Sequence, residues 1–247
     1  MLKIQNLKKY FGGVKAVDNC NFEVKVGSIT ALIGPNGSGK TTVFNIIAGL
    51  IVPDGGIINF KDKDITGLNP EDISSFGISR VFQQSRLFGN LTVKENLFLA
   101  YDNEDTSFWK NLFGLNKFSK EKKAKIKEML ELIEMEDHAN KLARDLSFGQ
   151  KRLVEIARAI INPHDLLMLD EPVAGVTPPL RRKISNMLID LRKKGETVLL
   201  IEHDINFILS LVDWVIVMDA GRVVSEGTPE EIKKDPAVLE AYLGGIS

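Results

Sequence analysis

Cysteine is almost missing from this chain: Cys20 is the only one in 247 residues. That excludes an intramolecular disulfide and fits a reducing compartment. An excess of either charge is also missing. Lysines and arginines number 32 against 33 aspartates and glutamates, a formal net charge of −1. Nothing therefore marks the surface as a binder of polyanions, and no nucleic acid is expected as a partner. Long apolar runs are absent too. Val198–Ile201 and Val215–Met218 are strand-sized, far short of the roughly 18–20 residues that a membrane span needs. The opening residues, Met1 to Gly13, hold no apolar segment of signal-peptide length. If such a protein works at a membrane, something else is expected to hold it there. What remains is ample for a core, because 44% of residues are hydrophobic, an ordinary fraction for a globular protein. The length suits one large domain, or a core with an inserted subdomain.

Short β-like runs recur between helical patterns. Ser28–Ile33 leads into a glycine-rich turn and then a helix from Thr41 to about Leu50. Leu166–Leu169 and Val198–Ile201 are continuous apolar runs, as expected of central strands buried on both faces. Val215–Met218 and Arg222–Ser225 flank the turn signal Asp219-Ala220-Gly221 and predict a hairpin. Strands alternating with helices imply an α/β fold with a mostly parallel sheet and some antiparallel β elements. The middle of the chain differs. Ile126, Met129, Leu130 and Ile133 repeat at helical spacing, as do Leu153, Ile156, Ala157, Ile160 and Ile161. The expected organisation is one domain over residues 1–247. Its α/β core covers about 1–92 and 163–247, and a helical subdomain of about 93–162 is inserted into it.

Gly34-Pro35-Asn36-Gly37-Ser38-Gly39-Lys40-Thr41 matches the phosphate-binding pattern G-x-x-x-x-G-K-[ST] in full. Glycines let the backbone turn tightly, so that successive N–H groups point inward at phosphate oxygens. The following helix adds its positive N-terminal end, with Thr42 in its first turn. Lys40 is expected to reach the β- and γ-phosphates, and the Thr41 hydroxyl to ligate Mg²⁺. Later in the chain, Leu166-Leu167-Met168-Leu169-Asp170-Glu171 reads as a strand ending in two adjacent carboxylates. The C-terminal edge of a parallel sheet is where a doubly wound fold places its ligand. Asp170 is suited to hold Mg²⁺ through water beside Thr41, and Glu171, one residue on, to polarise an attacking water. A GTPase would carry Asn-Lys-x-Asp. The nearest segments, Asn140-Lys141-Leu142-Ala143 and Asn116-Lys117-Phe118-Ser119, lack its aspartate.

Leu146-Ser147-Phe148-Gly149-Gln150 precedes an amphipathic helix, and Ser147 fits its N-cap. This segment resembles the signature of ATP-binding cassettes, usually written Leu-Ser-Gly-Gly-Gln, with Phe148 replacing the first glycine. Other motifs resemble that family in order along nearly the whole chain. Gln83, in Arg80-Val81-Phe82-Gln83, corresponds to the glutamine that senses Mg²⁺ and joins the two subdomains. Ala174-Gly175-Val176-Thr177 occupies the D-loop, with Thr177 where an aspartate often stands. His203 matches the switch histidine that contacts the γ-phosphate. Phe11 sits where an aromatic stacks on adenine, with Tyr10 the alternative. The resemblance implies a P-loop NTPase core and an ATPase that uses ATP and Mg²⁺. It also implies a head-to-tail pair of cassettes in which Ser147, Gly149 and Gln150 of one chain complete the ATP site of the other.

Among cassette ATPases the sequence most resembles the subunits of branched-chain amino acid importers. The likeness lies in Phe11-Gly12-Gly13-Val14-Lys15-Ala16-Val17, the aromatic signature, Ala174–Pro178, Glu226-Gly227-Thr228-Pro229 and Ala241-Tyr242-Leu243-Gly244. Lipopolysaccharide-export ATPases share the tail features and are the alternative. A non-transport cassette acting in DNA repair or on ribosomes is a further one, but those usually carry tandem cassettes or coiled-coil insertions. The resemblance implies a peripheral protein on the cytoplasmic face of the inner membrane. Its partners would be membrane permease subunits and a second ATPase subunit, itself or a paralogue. A substrate-binding protein would be met only through the permease. An extra stretch from Tyr101 to Lys123 holds Phe108, Trp109, Leu112, Phe113, Leu115 and Phe118. This insertion implies the longer of the two ATPase subunits that such importers have.

Overall fold

The computed structural model describes residues 1–81, 87–101 and 120–238. Gln83, the apolar cluster from Phe108 to Phe118, and Ala241–Gly244 lie outside the described residues. The chain divides into two compact units, one of Met1–Arg80, Asp165–Pro172 and Leu188–Ser247, the other of Val81–His164 and Val173–Met187.

The first unit opens with an antiparallel sheet. Strand β1 (Leu2–Phe11) pairs with β2 (Val14–Val24) across the two-residue turn Gly12-Gly13, and on its other side with β4 (Gly55–Phe60). β4 pairs in turn with the short β5 (Lys63–Asp64). Leu2 and Ile4 point inward with period two, but Leu7 is also inward. The left-handed Asn6, at φ 51°, inserts a bulge between them and resets the register. That irregularity hides the strand from an alternation count, and the sequence reading did not place β1 and β2 individually.

The second sheet has six strands in the order β10-β9-β3-β8-β7-β6. They are β3 (Ile29–Ile33), β6 (Ile78–Val81), β7 (Leu166–Asp170), β8 (Thr197–Ile201), β9 (Trp214–Asp219) and β10 (Arg222–Gly227). β3 runs parallel to β8 and β9, and β7 parallel to β8, while β9 and β10 form the antiparallel hairpin expected around Ala220-Gly221. Every residue of β3, β7 and β8 is buried. Continuous apolar runs of this kind belong to strands covered on both faces. Helix α1 (Lys40–Ile47) follows β3 and buries Val43, Phe44, Ile46 and Ile47. One core joins Leu2, Ile4, Cys20 and Phe60 of the first sheet, Phe44 of α1, and Met168, Leu199 and Ile216 of the second. Cys20 is fully enclosed there, and burial pushes its thiol up to about 12. Two short helices, α2 (Pro70–Ser75) and, later in the chain, α8 (Pro229–Ile232), complete the described elements between strands and tail.

The second unit is helical among its described residues, with one isolated bridge from Thr92 to Leu142. Helix α3 (Val93–Tyr101) starts where Thr92 and Glu95 exchange hydrogen bonds in a capping box. α4 (Lys120–Leu132) and α5 (Phe148–Ile160) pack with it through Leu97, Met129, Leu130, Leu153, Ile156 and Ala157. Asn96 is fully buried, and the four hydrogen bonds of its side chain go to the loop before α3. It accepts from Phe88 N–H and donates to the carbonyls of Phe88, Leu91 and Thr92. Helix α6 (Pro178–Lys193) begins in this unit. Val173–Met187 belongs to this unit as well: Leu180 and Val176 lie beside Gly149, and Lys183 pairs with Glu134 at 3.0 Å. In the first unit, α7 (Ile205–Leu211) follows β8. Among the described residues no helix is long and apolar enough to cross a membrane.

Candidate functional site

Parallel strands β3, β7 and β8 end at one edge, and the sequence-predicted residues of the first unit other than Phe11 lie on or directly follow their ends. After β3 the chain turns through Gly34–Gly39 into α1. Two positions there admit only glycine. A Cβ on Gly34 would lie 2.0 Å from the Met218 carbonyl oxygen, and one on Gly39 2.3 Å from that of Ala16; Gly39 is also left-handed at φ 100°. Gly221 N–H donates to the Ser38 carbonyl at 3.1 Å, so the loop is held from the β9–β10 turn as well. Lys40 is nearly buried, and its ammonium donates to the carbonyls of Gly34 and Pro35 at 2.8 Å and to Ser38 Oγ at 3.3 Å. Burial pushes the Lys40 pKa down, and the carboxylates of Glu171 and Asp170 pull it partly back.

β7 delivers the two carboxylates to different surroundings. Asp170 is buried and pairs with Arg80 at 3.0 Å. Arg80, on β6, also donates to the Phe44 carbonyl and to Asn45 Oδ1, and so ties α1 to the end of β7. Sequence reasoning gave Arg80 no role, because its partners lie 35 and 90 residues away. Glu171 turns the other way. It is left-handed at φ 49°, and its N–H is anchored on the Ile201 carbonyl at 3.0 Å. Its Oε1 lies 2.5 Å from His203 Nε2. A non-glycine residue held at positive φ stores strain of about 1–3 kcal/mol, and such residues cluster at functional sites.

A cleft of about 650 Å³ is lined by Asn36, Gly37, Gly39, Lys40, Thr41, Thr42, Glu171 and His203, with Val14, Lys15, Ala16 and Ala220 across from them. Phe11, Gly34, Pro35, Ser38 and Asp170 do not line it. The β1–β2 hairpin supplies the Val14–Ala16 wall and separates the two aromatic candidates. The Tyr10 hydroxyl donates to Asp18 Oδ1 at 3.0 Å, and Asp18 also takes Arg222 at 2.6 Å and Lys15 at 3.6 Å. Phe11 is 46% exposed, with only the Lys9 ammonium over its ring at 5.4 Å among the described contacts.

The second unit carries the other motif. Ser147 caps α5: its Oγ accepts Gln150 N–H at 3.3 Å, and Gln150 Oε1 accepts Ser147 N–H at 3.0 Å, a complete capping box. Gly149 passes so close to α6 that a Cβ there would lie 2.0 Å from Leu180 Cδ2. Phe148 is 58% exposed and lays its ring edge against Gly175.

Comparison with known proteins bears on both units. A model of the ABC transporter family matches residues 17–174. A second model, described as branched-chain amino acid ATP-binding cassette transporter, matches residues 222–246. The high-affinity branched-chain amino acid transport ATP-binding protein LivG of Escherichia coli (strain K12) is 38% identical over 249 residues, covering 99% of this chain and 98% of the relative. A probable LivG of Methanocaldococcus jannaschii is 38% identical over 250 residues, 99% of this chain and 97% of its own. An ATP-binding cassette of an ABC transporter solved in its ADP conformation superposes with a TM-score of 0.86 at 37% identity, covering 99% of this chain and 98% of its own. A bacterial ABC transporter cassette solved as a dimer does so with a TM-score of 0.77 at 29% identity, over 93% and 99%.

Proposed function

This chain belongs to the ABC transporter family as an ATP-binding, ATP-hydrolysing cassette, and we propose that it drives a membrane importer of branched-chain amino acids. The observation that carries the cargo is the match of residues 222–246 to the branched-chain model, beside relatives of that name over the full length. The proposed setting is the cytoplasmic face of the inner membrane. There the chain would dock on permease subunits and pair head to tail with a second cassette, a paralogue or itself. Relatives solved as dimers support the pairing.

The cleft residues divide the chemistry. Lys40 leaves the carbonyls of Gly34 and Pro35 for the β- and γ-phosphate oxygens, which match a buried ammonium better than neutral carbonyls do. Backbone N–H groups of the Gly34–Gly39 turn and the first turn of α1 take the remaining phosphate oxygens. Glu171 accepts the proton of a water that attacks the γ-phosphorus, as the bond to the bridging oxygen breaks and ADP carries away its electron pair. His203, in contact with Glu171, orients it and meets the γ-phosphate. A bound Mg²⁺ would supply positive charge against the phosphate tail. Among the described residues no group of three or more His, Cys, Asp or Glu could hold a metal. Phosphate and water oxygens would therefore supply most ligands, as this ion prefers. Thr41 and Asp170 fit the remaining places, Asp170 through water and steadied by Arg80; Gln83 is the further proposed ligand. Phe11 is the proposed adenine platform, because Tyr10 is tethered through its hydroxyl. Ser147, Gly149 and Gln150 would close on the ATP of the partner cassette.

Uptake of leucine, isoleucine and valine tests the cargo in cells lacking this chain. Uptake is expected to fall to background, to return with the wild type and to stay low with Glu171→Gln. Unchanged uptake in the deletion strain removes the cargo assignment.

A further inference from the structure

His138 lies outside every motif that the sequence pattern singles out. It closes the 3₁₀ turn Glu136–His138, and its Nε2 lies 3.1 Å from Gln150 Nε2, twelve residues on. The direction of this hydrogen bond follows from the other end of the glutamine. Gln150 Oε1 accepts Ser147 N–H at 3.0 Å, so the carboxamide is oriented with its nitrogen toward the imidazole. An amide nitrogen only donates. His138 Nε2 must therefore accept, which leaves the ring proton on Nδ1.

We propose that His138, as the neutral Nδ1–H tautomer, is a positioning residue that locks the Gln150 carboxamide and thereby aims the Ser147 hydroxyl at the partner's nucleotide. The inference rests on the composite-site reading above. Ser147 is exposed, so water competes for both bonds of its capping box. A carboxamide that turned over would set its NH₂ against Ser147 N–H, two donors facing each other, and the box would open. With its proton on Nδ1 the imidazole opposes that alternative, because a turned carboxamide would also face the Nε2 lone pair with an oxygen. One neutral acceptor thus fixes a glutamine at both ends, and the glutamine fixes the serine.

The test uses the full-length chain in its assembled transporter, with three variants. His138→Ala removes the acceptor and is expected to lower kcat roughly three- to ten-fold, the worth of one neutral hydrogen bond felt at the transition state. ATP binding to the isolated chain should stay within about twofold, because the phosphate cradle lies in the other unit. His138→Gln, which offers a carbonyl oxygen near the position of Nε2, should restore kcat to within about twofold of wild type. His138→Lys can only donate and should fall at least as far as alanine. Wild-type turnover in His138→Ala, or no rescue by glutamine, overturns the proposal. A measurement on the wild type stands apart from how the variants fold. ¹⁵N chemical shifts of the neutral His138 ring should report the proton on Nδ1; a proton on Nε2 overturns the assignment. A Ser147→Arg variant that hydrolyses normally would instead overturn the composite-site reading, and the tautomer would then decide the His138 lock alone.

Discussion

Two helices in this protein start at motifs expected to meet a phosphate tail, α1 that of its own nucleotide and α5 that of a partner cassette, and their first turns are finished in opposite ways. α1 has Gly39 as its N-cap, left-handed, with no side-chain hydrogen bond. No side chain could be added there, since its Cβ would strike the Ala16 carbonyl. α5 has Ser147 as its N-cap and a closed capping box. A serine-type cap is worth about 1 kcal/mol, and α1 forgoes it. Its open N–H groups are instead left to an anion, and the loop before it is clamped from Ala16, Met218 and Gly221. In the proposed cycle the difference would separate a site that keeps its own nucleotide from one that must stay ordered while the partner's nucleotide comes and goes.

The largest expected effect breaks the first site without touching either helix start. Glu171→Gln should lower turnover by about 10²–10⁴, the usual worth of a positioned general base, while still binding ATP. Near wild-type hydrolysis would end its proposed role. The next effect contrasts the two starts directly. ATP with Mg²⁺ at about a hundred times its Kd should stabilise the wild-type chain by about 2.7 kcal/mol through mass action. Lys40→Ala should lose that shift. Ser147→Ala should keep it, while losing about 1 kcal/mol of nucleotide-free stability with the cap. A nucleotide shift abolished by Ser147→Ala would erase the distinction. The smallest effect tests whether α1 is braced from outside. Asp18 N–H donates to the Gly221 carbonyl, and Gly221 holds Ser38. The Arg222 bond first, and then the Tyr10 bond, keep the Asp18 carboxyl below the ordinary carboxylate range. An acid depressed by folding stabilises the fold above its unfolded pKa, and that contribution is lost as the pH falls through the folded value. Asp18→Asn should therefore unfold slightly more easily than wild type at neutral pH, and the gap should close in acid. A gap of constant size would show that the Asp18 carboxylate, through Arg222 and Tyr10, adds nothing to the backbone bond from Asp18 N–H to Gly221.

How much of this was legible in the sequence depends on how local each feature is. The Gly34–Thr41 cradle, the Asp170-Glu171 pair at the end of β7 and the Ser147 cap are each set by a few adjacent residues, and all were readable. So were the fully apolar central strands and the β9–β10 hairpin. The first sheet was not placed strand by strand, because Asn6 breaks the alternation of β1. Arg80, Asp18 and His138 were not readable as parts of a site. Their partners are brought to them by the sheet order and by helix packing, not by neighbourhood in the chain. Leu180 and Lys183 show the same limit, since their contacts with Gly149 and Glu134 draw the start of α6 into the helical unit.

The left-handed backbone at Glu171 sets heat tolerance against turnover at one codon. Glycine adopts that conformation freely, whereas another residue there carries roughly 1–2 kcal/mol of steric cost. Selection for thermal endurance alone would thus be rewarded for replacing Glu171 by glycine, and the survivors would be hardier proteins without their proposed base.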